Sequence, residues 1–285
     1  MINWFPGHMS KTLREMSEKA KLVDCFVYVL DARCPLACLN PEFMKIIKDK
    51  PIVYVLNKSD LSNSQKNNDW KTYFSSLQNS KCVLTNATMS KSCNSIISAI
   101  NQLLVEKIEK NKANNVVFTF RAMVLGVPNC GKSTIVNNLC GKTRAVTGNK
   151  AGVTRNTQWA NVGQNLQIMD TPGTLWGNIG NEKLAYELAF VGSVKDEVLN
   201  LIDVSAKLVK RLLEISPATL NTKYKTSLTA DMEELEFVET IAKKRGCIIK
   251  GGEIDYERVA KLIVGDFRKG ELGKVTFDII EEQNG

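Results

Sequence analysis

A short glycine-containing segment, GVPNCGKS, occupies residues 126–133 and fits the pattern G-x-x-x-x-G-K-S. It follows the apolar run AMVL and precedes the helical pattern STIVNNLC, which is the strand–loop–helix context that this motif needs. Backbone N–H groups and the positive end of the helix dipole would then face phosphate oxygens. We therefore expect Lys132 to reach the β- and γ-phosphates of a nucleotide and the Ser133 hydroxyl to bind Mg²⁺. The candidate phosphate-binding residues are Asn129, Cys130, Gly131, Lys132, Ser133 and Thr134.

A second polar segment, NKSD at residues 57–60, ends the apolar run IVYVL, and ligands gather at such strand ends in open α/β sheets. The Asp60 carboxylate matches the N1–H and the 2-amino group of guanine. Adenine lacks that amino group and presents an acceptor at N1, so such a site could discriminate by about 10⁴-fold or more. We expect the Lys58 stem to lie across the base, and Asn57 and Ser59 to complete the loop, with Asn57 tying it to neighbouring backbone. NKSD is a weak motif alone and a strong one beside a phosphate-binding loop on the same sheet.

Three further segments complete the set. Asp170 and Gly173, in DTPG after the run LQIM, are expected to hold a Mg²⁺-bound water and to contact the γ-phosphate. Thr154, in AGVTR, could complete the Mg²⁺ shell. The run CVL is followed by Thr85, Asn86 and Ala87, which could support the base through a backbone amide.

The elements that carry these loops alternate between short apolar runs and helical patterns. Buried strands are predicted at residues 25–30, 52–56, 82–84, 116–125, 159–162 and 166–169. Helices are predicted at residues 41–50, 65–77 and 92–110 and after residue 132. This alternation predicts an α/β fold, a mostly parallel sheet with helices on both faces.

After Gly180 the pattern changes to three or four amphipathic helices, the last of them capped by Asp255. We therefore predict two domains, residues 1–178 carrying the nucleotide motifs and residues 179–285 forming a small all-helical domain.

The positive and negative charges are distributed unevenly between these two parts of the chain. Residues 1–179 hold 22 Lys/Arg against 11 Asp/Glu, whereas residues 180–285 hold 16 against 19. A basic half favours a polyanionic partner, although lysines that only keep the surface soluble fit the charge equally well.

Other compositional features indicate a soluble, cytoplasmic protein. The apolar run CFVYVL is far shorter than the roughly 20 residues that span a bilayer, and the first residues lack a signal-peptide layout. The chain has eight cysteines and one histidine, without the spacing of a metal site, so we expect buried, reduced thiols.

The motifs together resemble the five signature elements of small GTPases in the order four, five, one, two, three. The chain thus resembles the circularly permuted GTPases and, within them, the ribosome biogenesis GTPase A (YlqF) family. The segments that carry this resemblance are WFPGHM (4–9), DARCP (31–35), NKSD, GVPNCGKST, AGVTR, DTPG, VKDEVLN (194–200) and KGGEIDYERVAK (250–261). Permutation keeps the neighbours in a sheet and moves only the chain ends, which commonly lie close together.

The resemblance implies a circularly permuted P-loop GTPase with Mg²⁺ as cofactor and a slow intrinsic rate. Ras-like enzymes carry a Gln after the DxxG glycine, but this chain has Thr174, where the family usually has a hydrophobic residue. The resemblance suggests that His8 aligns the attacking water instead; packing of the N-terminal segment is the alternative. It also suggests that Asn129 holds K⁺ beside the phosphates.

The partners implied by the resemblance are GTP and GDP, and the large ribosomal subunit with its rRNA and proteins. The helical domain would contact RNA or the ribosome late in subunit assembly, and the ribosome would stimulate hydrolysis. We expect a monomer without a membrane partner.

The alternative function is a GTP-controlled switch that binds another protein through the helical domain, without rRNA. An ATP-dependent small-molecule kinase is disfavoured by Asp60.

Overall fold

The computed structural model describes residues 8–141, 158–177 and 179–280. The predicted Mg²⁺ ligand Thr154 and the rest of AGVTR lie outside these ranges, as do residues 1–7.

Six strands of the described residues form one sheet. In chain order they are β1 (Cys25–Asp31), β2 (Ile52–Asn57), β3 (Ser80–Leu84), β4 (Phe120–Leu125), β5 (Gln158–Val162) and β6 (Leu166–Asp170). Their spatial order is β3-β2-β1-β4-β6-β5. All neighbouring pairs are parallel except β5 with β6, which is antiparallel. The predicted mostly parallel sheet is confirmed.

One strand is shorter than predicted. The apolar run from residue 116 suggests a strand as far as Leu125, but β4 begins at Phe120. Val117 is 97% exposed. The neighbouring strand β6 begins at Leu166, opposite Phe120, so the residues before Phe120 have no partner there.

In the part of the chain that the structure describes, six helices are interleaved with these strands. They are α1 (His8–Ala20), α2 (Pro41–Ile47), α3 (Ser64–Ser76), α4 (Asn94–Leu103), α5 (Val105–Ala113) and α6 (Lys132–Cys140). The prediction of one helix over residues 92–110 is wrong, because the chain breaks at Leu104, whose φ and ψ are −103° and 13°. Neither Gly nor Pro marks this break, and the apolar spacing continues across it to Ile108. Periodicity alone could not locate it.

The described chain after residue 179 contains five α-helices, one or two more than predicted. They are α7 (Glu182–Phe190), α8 (Leu201–Ile215), α9 (Pro217–Tyr224), α10 (Glu234–Arg245) and α11 (Tyr256–Arg268), with a short 3-10 turn at Asp196–Val198. Pro217 has no N–H to continue α8 and instead occupies the first turn of α9. The predicted cap of the last helix is confirmed: the Asp255 carboxylate accepts a hydrogen bond of 3.0 Å from the Arg258 N–H.

The core lies on both faces of the central strands. Every residue of β1 and of β2 is buried, and successive strand residues point to opposite faces, so both faces are covered. On one face the rings of Tyr28, Tyr54 and Phe74 stack in series, with centroids 5.8 and 4.4 Å apart. These packed central strands give the loops at their carboxyl ends a rigid base.

The eight cysteines are free thiols, as predicted. Seven are buried and Cys140 is half-buried. Within the described ranges, no helix has the length and apolar character to cross a membrane.

Candidate nucleotide-binding site

The carboxyl ends of the parallel strands bring the candidate loops to one edge of the sheet. GVPNCGKS follows β4, NKSD begins at the end of β2, and DTPG begins at the end of β6. The TNA segment, residues 85–87, follows β3, and DARCP begins at the end of β1. Strand β1 lies between β2 and β4, so its terminal residues stand between the NKSD loop and the phosphate-binding loop.

Lys132, the first residue of α6, is buried under the phosphate-binding loop. Its ammonium group donates to the carbonyls of Gly126 and Val127, at 3.0 and 2.8 Å. Thr134 lies half-buried in the first turn of the same helix. A positive charge and a helix N-terminus thus meet where the sequence predicts phosphate groups.

The Asn57 side chain joins three of the loops. Its Nδ2 donates to the Cys130 carbonyl at 2.8 Å, and its Oδ1 accepts from the Ala87 N–H at 3.1 Å. Gly131 has a φ of +101°, and a Cβ there would lie 2.1 Å from Asn57 Nδ2. Only glycine allows the phosphate-binding loop to approach Asn57 this closely.

Lys58 also spans two loops. Its Nζ donates to the Asn129 carbonyl at 2.8 Å and pairs with Asp31 Oδ2 at 2.9 Å. The side chain remains 23% exposed, so part of it is accessible to a base. The Asn129 Nδ2 donates away from the loop, to the Val191 carbonyl at 3.4 Å.

The outer part of the NKSD loop is held by the segment that follows β3. Both the N–H and the hydroxyl of Ser59 donate to the Thr85 carbonyl, at 3.1 and 3.0 Å. Asn86 folds its side chain onto Thr88, accepting from that residue's N–H and hydroxyl. Asp60 is exposed beside these residues. An accessible carboxylate on a loop fixed by its neighbours can accept hydrogen bonds from a planar base.

Two of the three predicted Mg²⁺-binding side chains, Ser133 and Asp170, meet directly. The Ser133 hydroxyl donates to Asp170 Oδ2 at 2.7 Å, and the buried Asp170 Oδ1 has no hydrogen-bond partner among the described residues. Burial raises the pKa of Asp170, against the lowering effects of the Ser133 hydrogen bond and the Lys132 charge. Hard oxygen donors beside an incompletely satisfied carboxylate fit Mg²⁺, which binds few protein oxygens and keeps several waters.

The DTPG segment lies in close contact with the phosphate-binding loop. A Cβ at Gly173 would lie 2.6 Å from Pro128 Cα and 2.8 Å from Lys132 Nζ, so the two loops touch through backbone. The next residue, Thr174, is buried, and its carbonyl accepts from Asn40 Nδ2 at 3.3 Å. A buried Thr174 does not present its hydroxyl as a water-orienting group. His8 is the first residue of α1.

Two residues that site reasoning from the sequence left without a role, Asp31 and Arg33, lie inside this arrangement. Asp31 accepts from Arg33 Nε and Nη2 at 2.9 and 2.8 Å, and from Lys58 as described. Burial opposes a charge on Asp31, but Arg33 and Lys58 outweigh it and hold the pKa of this carboxyl well below its usual range. The available signal was a carboxylate at the end of a wholly apolar strand, followed two residues later by an arginine.

The chain is similar to known GTPases over nearly its whole length. A family model described as 50S ribosome-binding GTPase matches residues 121–235. The ribosome biogenesis GTPase A of Bacillus pumilus is 37% identical over 279 residues, covering 97% of this chain and 98% of the relative. The ribosome biogenesis GTPase A of Thermotoga maritima is 30% identical, covering 99% and 95%.

A solved structure supports the same relationship. The GNP-bound YlqF from T. maritima superposes with a TM-score of 0.63 at 27% identity and covers 94% of this chain and 97% of that one. The order of the sequence motifs, the topology of the sheet and these relatives all indicate the same family. The chain belongs to the ribosome biogenesis GTPase A family of circularly permuted P-loop GTPases and is a GTP hydrolase.

Proposed function

We propose that this GTPase acts in ribosome biogenesis by binding the precursor of the large ribosomal subunit late in its assembly, and that the ribosome accelerates GTP hydrolysis. The names of the relatives and the description of the matching family model support this proposal. The excess of 11 positive charges over residues 1–179 also supports it, because phosphate contacts release counterions from a polyanion.

The observation that carries the assignment of the site is the double hydrogen bond of Asn57. It ties the NKSD loop to the phosphate-binding loop at Cys130 and to the TNA segment at Ala87. A single nucleotide then reaches both loops, with its base at Lys58 and Asp60 and its phosphates at Lys132. Asp60 selects guanine through its two carboxylate oxygens.

The phosphates and Mg²⁺ are bound by charged and polar groups at the other end of the site. Lys132 turns from the loop carbonyls toward the β- and γ-phosphates, and the Gly173 amide contacts the γ-phosphate. Ser133 and Asp170 hold Mg²⁺ directly and through water, with Thr154 completing the shell. When bound, Mg²⁺ neutralises charge that develops on the phosphate oxygens. Asn129 is proposed to hold K⁺, which equal hydrolysis rates in Na⁺ and K⁺ would rule out.

The water that attacks the γ-phosphate needs a side chain to orient it. Thr174 is buried and holds no amide, and the resemblance to the family suggests His8, the one histidine of the chain, for this role. Without the ribosome the intrinsic hydrolysis rate is slow.

The ribosome-binding part is proposed to be the helical domain, residues 179–285, packed beside the GTPase domain, residues 1–178. Lys243, Lys244 and Arg245 are exposed in the last turn of α10 and can face RNA. Arg268 cannot do so, because its guanidinium pairs with Asp196 at 2.9 Å and donates to the Phe190 and Ala189 carbonyls. The RNA contact is therefore local, in agreement with the net −3 charge of residues 180–285.

The test is co-sedimentation with purified large-subunit precursors in a sucrose gradient, in the presence of a non-hydrolysable GTP analogue. We expect GTP-dependent comigration, faster hydrolysis in the presence of the precursors, and a steep loss of binding with added salt. Replacing Lys243, Lys244 and Arg245 by Ala should weaken binding and reduce the salt dependence. Capture of one protein without rRNA would instead favour a switch that acts on a protein partner.

A further inference from the structure

The segment that follows α11 packs onto the loops at the base end of the nucleotide site. The Thr276 hydroxyl donates to the Ala32 carbonyl at 3.1 Å and accepts from the Asn63 N–H at 3.2 Å. Ala32 follows β1 and Asn63 lies three residues beyond NKSD, so one buried hydroxyl joins the two loops.

The next two residues extend this contact. The Phe277 N–H donates to the Arg33 carbonyl at 2.8 Å, and Asp278 Oδ2 accepts from the Leu36 N–H at 2.6 Å. Thr276 and Asp278 are both fully buried. The segment Thr276–Asp278, here called the tail clamp, therefore holds the loop after β1 by its backbone.

The side chain of Arg33 links the same loop to the helices. Its guanidinium lies 5.1 Å from the centroid of the Phe267 ring on α11, and the Phe267 and Phe277 rings are 5.5 Å apart. The other side of the guanidinium is engaged by Asp31. A buried cation held between an aromatic face and a carboxylate has little freedom to reorient.

Asp31 connects the restrained Arg33 side chain to the base-binding loop. Its Oδ2 accepts from both Arg33 Nη2 and Lys58 Nζ, at 2.8 and 2.9 Å. Lys58 in turn donates to the Asn129 carbonyl of the phosphate-binding loop. The position of the Lys58 stem is thus set by a carboxylate whose own position depends on the tail clamp and α11.

We propose that Arg33 and Thr276 are positioning residues of the nucleotide site, and that docking of the tail clamp raises guanine-nucleotide affinity by fixing Asp31 and thereby Lys58. This inference rests on the proposed function, in which Lys58 and Asp60 hold the base. Arg33 and Thr276 do not touch the nucleotide. They act through Asp31, and the helical part of the chain thereby influences the position of the base.

The experiment is a titration of the full-length protein with a fluorescent GDP analogue. Thr276→Val keeps the shape of the side chain and removes both hydrogen bonds, so we expect affinity to fall by about three- to tenfold. The matched control is Thr226→Val, because the Thr226 hydroxyl bonds Asn221 within the helical part. It should leave affinity unchanged. Phe267→Leu removes the aromatic face under Arg33 and should weaken GDP binding in the same direction.

A double-mutant cycle separates positioning from a general structural effect. In a Lys58→Ala background, Thr276→Val should lose most of its effect on GDP affinity. An undiminished effect in that background would overturn the proposal, as would unchanged affinity of both Thr276→Val and Phe267→Leu. At saturating GTP the hydrolysis rate of Thr276→Val should match that of the unmodified protein.

Asp60→Ala distinguishes failure of the positioning role from failure of the proposed base site. Weak GDP binding by Asp60→Ala with unchanged binding by Thr276→Val and Phe267→Leu would reject the positioning role alone. Unchanged binding by Asp60→Ala would reject the proposed base site, and the positioning role with it.

Discussion

The side-chain amide of Asn57 donates a hydrogen bond of 2.8 Å to the carbonyl of Cys130, across 73 positions of the chain. Asn57 ends β2 and Cys130 lies in the loop after β4, so the bond crosses the end of the intervening strand β1. Because both groups are buried, neither has water as a ready replacement partner. The loop proposed for the base and the loop proposed for the phosphates therefore move as one unit.

Replacing Asn57 by Ala should weaken both stability and nucleotide binding. The buried Cys130 carbonyl and Ala87 N–H would lose their partner, which costs about 1–3 kcal/mol of folding free energy for each group left unsatisfied. Urea unfolding would measure the stability, and titration with fluorescent GDP the affinity. Asn161→Ala, at an exposed position of β5, is the control. Unchanged GDP affinity would show that the bridge does not organise the site.

Replacing Asp60 by Asn should change which base is bound. Asn keeps one oxygen acceptor and gains an amide donor, which suits the 2-oxo group of xanthine better than the 2-amino group of guanine. We expect GTP affinity to fall by about 100-fold or more and XTP to become the preferred nucleotide. Competition of both nucleotides against a fluorescent analogue measures this. Asp69→Asn, on α3, should keep the preference for GTP, and an unaltered preference in Asp60→Asn would remove Asp60 from the base site.

Replacing Ser133 by Ala should raise the Mg²⁺ requirement. The hydroxyl now bonded to Asp170 belongs to one of the three side chains proposed for the metal, and its loss should raise half-saturating Mg²⁺ by at least about tenfold. Hydrolysis rates across a Mg²⁺ titration give this value. Ser98→Ala, on the exposed face of α4, provides the comparison. Identical Mg²⁺ curves would contradict the assignment.

Replacing His8 by Ala should slow hydrolysis without weakening binding. Loss of the group that orients the attacking water is expected to reduce the single-turnover rate by about 100-fold, with large-subunit precursors present. The affinity for the non-hydrolysable analogue serves as the internal control and should not change. A normal single-turnover rate would leave His8 with a packing role.

Replacing Glu187 by Gln should stabilise the protein at alkaline pH. Burial, together with the neighbouring Asp278 carboxyl, raises the pKa of Glu187 from 4.5 to about 10. Between these values the folded protein keeps a proton that the unfolded chain releases, so the free energy of unfolding falls as pH rises. A glutamine side chain does not titrate in this range, so the stability of the variant should depend less on pH.

The measurement for this change is urea unfolding at about pH 6 and about pH 9. The gain from Glu187→Gln should be larger at the higher pH. Glu236→Gln, on the exposed face of α10, is the matched control. An equal pH dependence of the unmodified protein and Glu187→Gln would show that Glu187 is not the group responsible.

Several elements followed from local sequence pattern alone. The apolar runs that became β1 and β2 and the glycine-containing loop before Lys132 depend on residues only a few positions apart. Where local pattern was ambiguous, prediction failed. The helical spacing continued unbroken across Leu104, where the chain leaves the helix, and the apolar residues before Phe120 had no strand to pair with.

The sequence by itself determined the order of the nucleotide motifs and the strands that carry them, because both are written in short, contiguous segments. Only the tertiary structure decided that Asn57 joins two loops and that Arg33 is held between Asp31 and Phe267. Phe267 and Thr276 lie more than 230 positions from the loop they contact in the linear sequence. Such pairings arise from the packing of helices against a completed sheet, and neither residue type nor spacing along the chain encodes them.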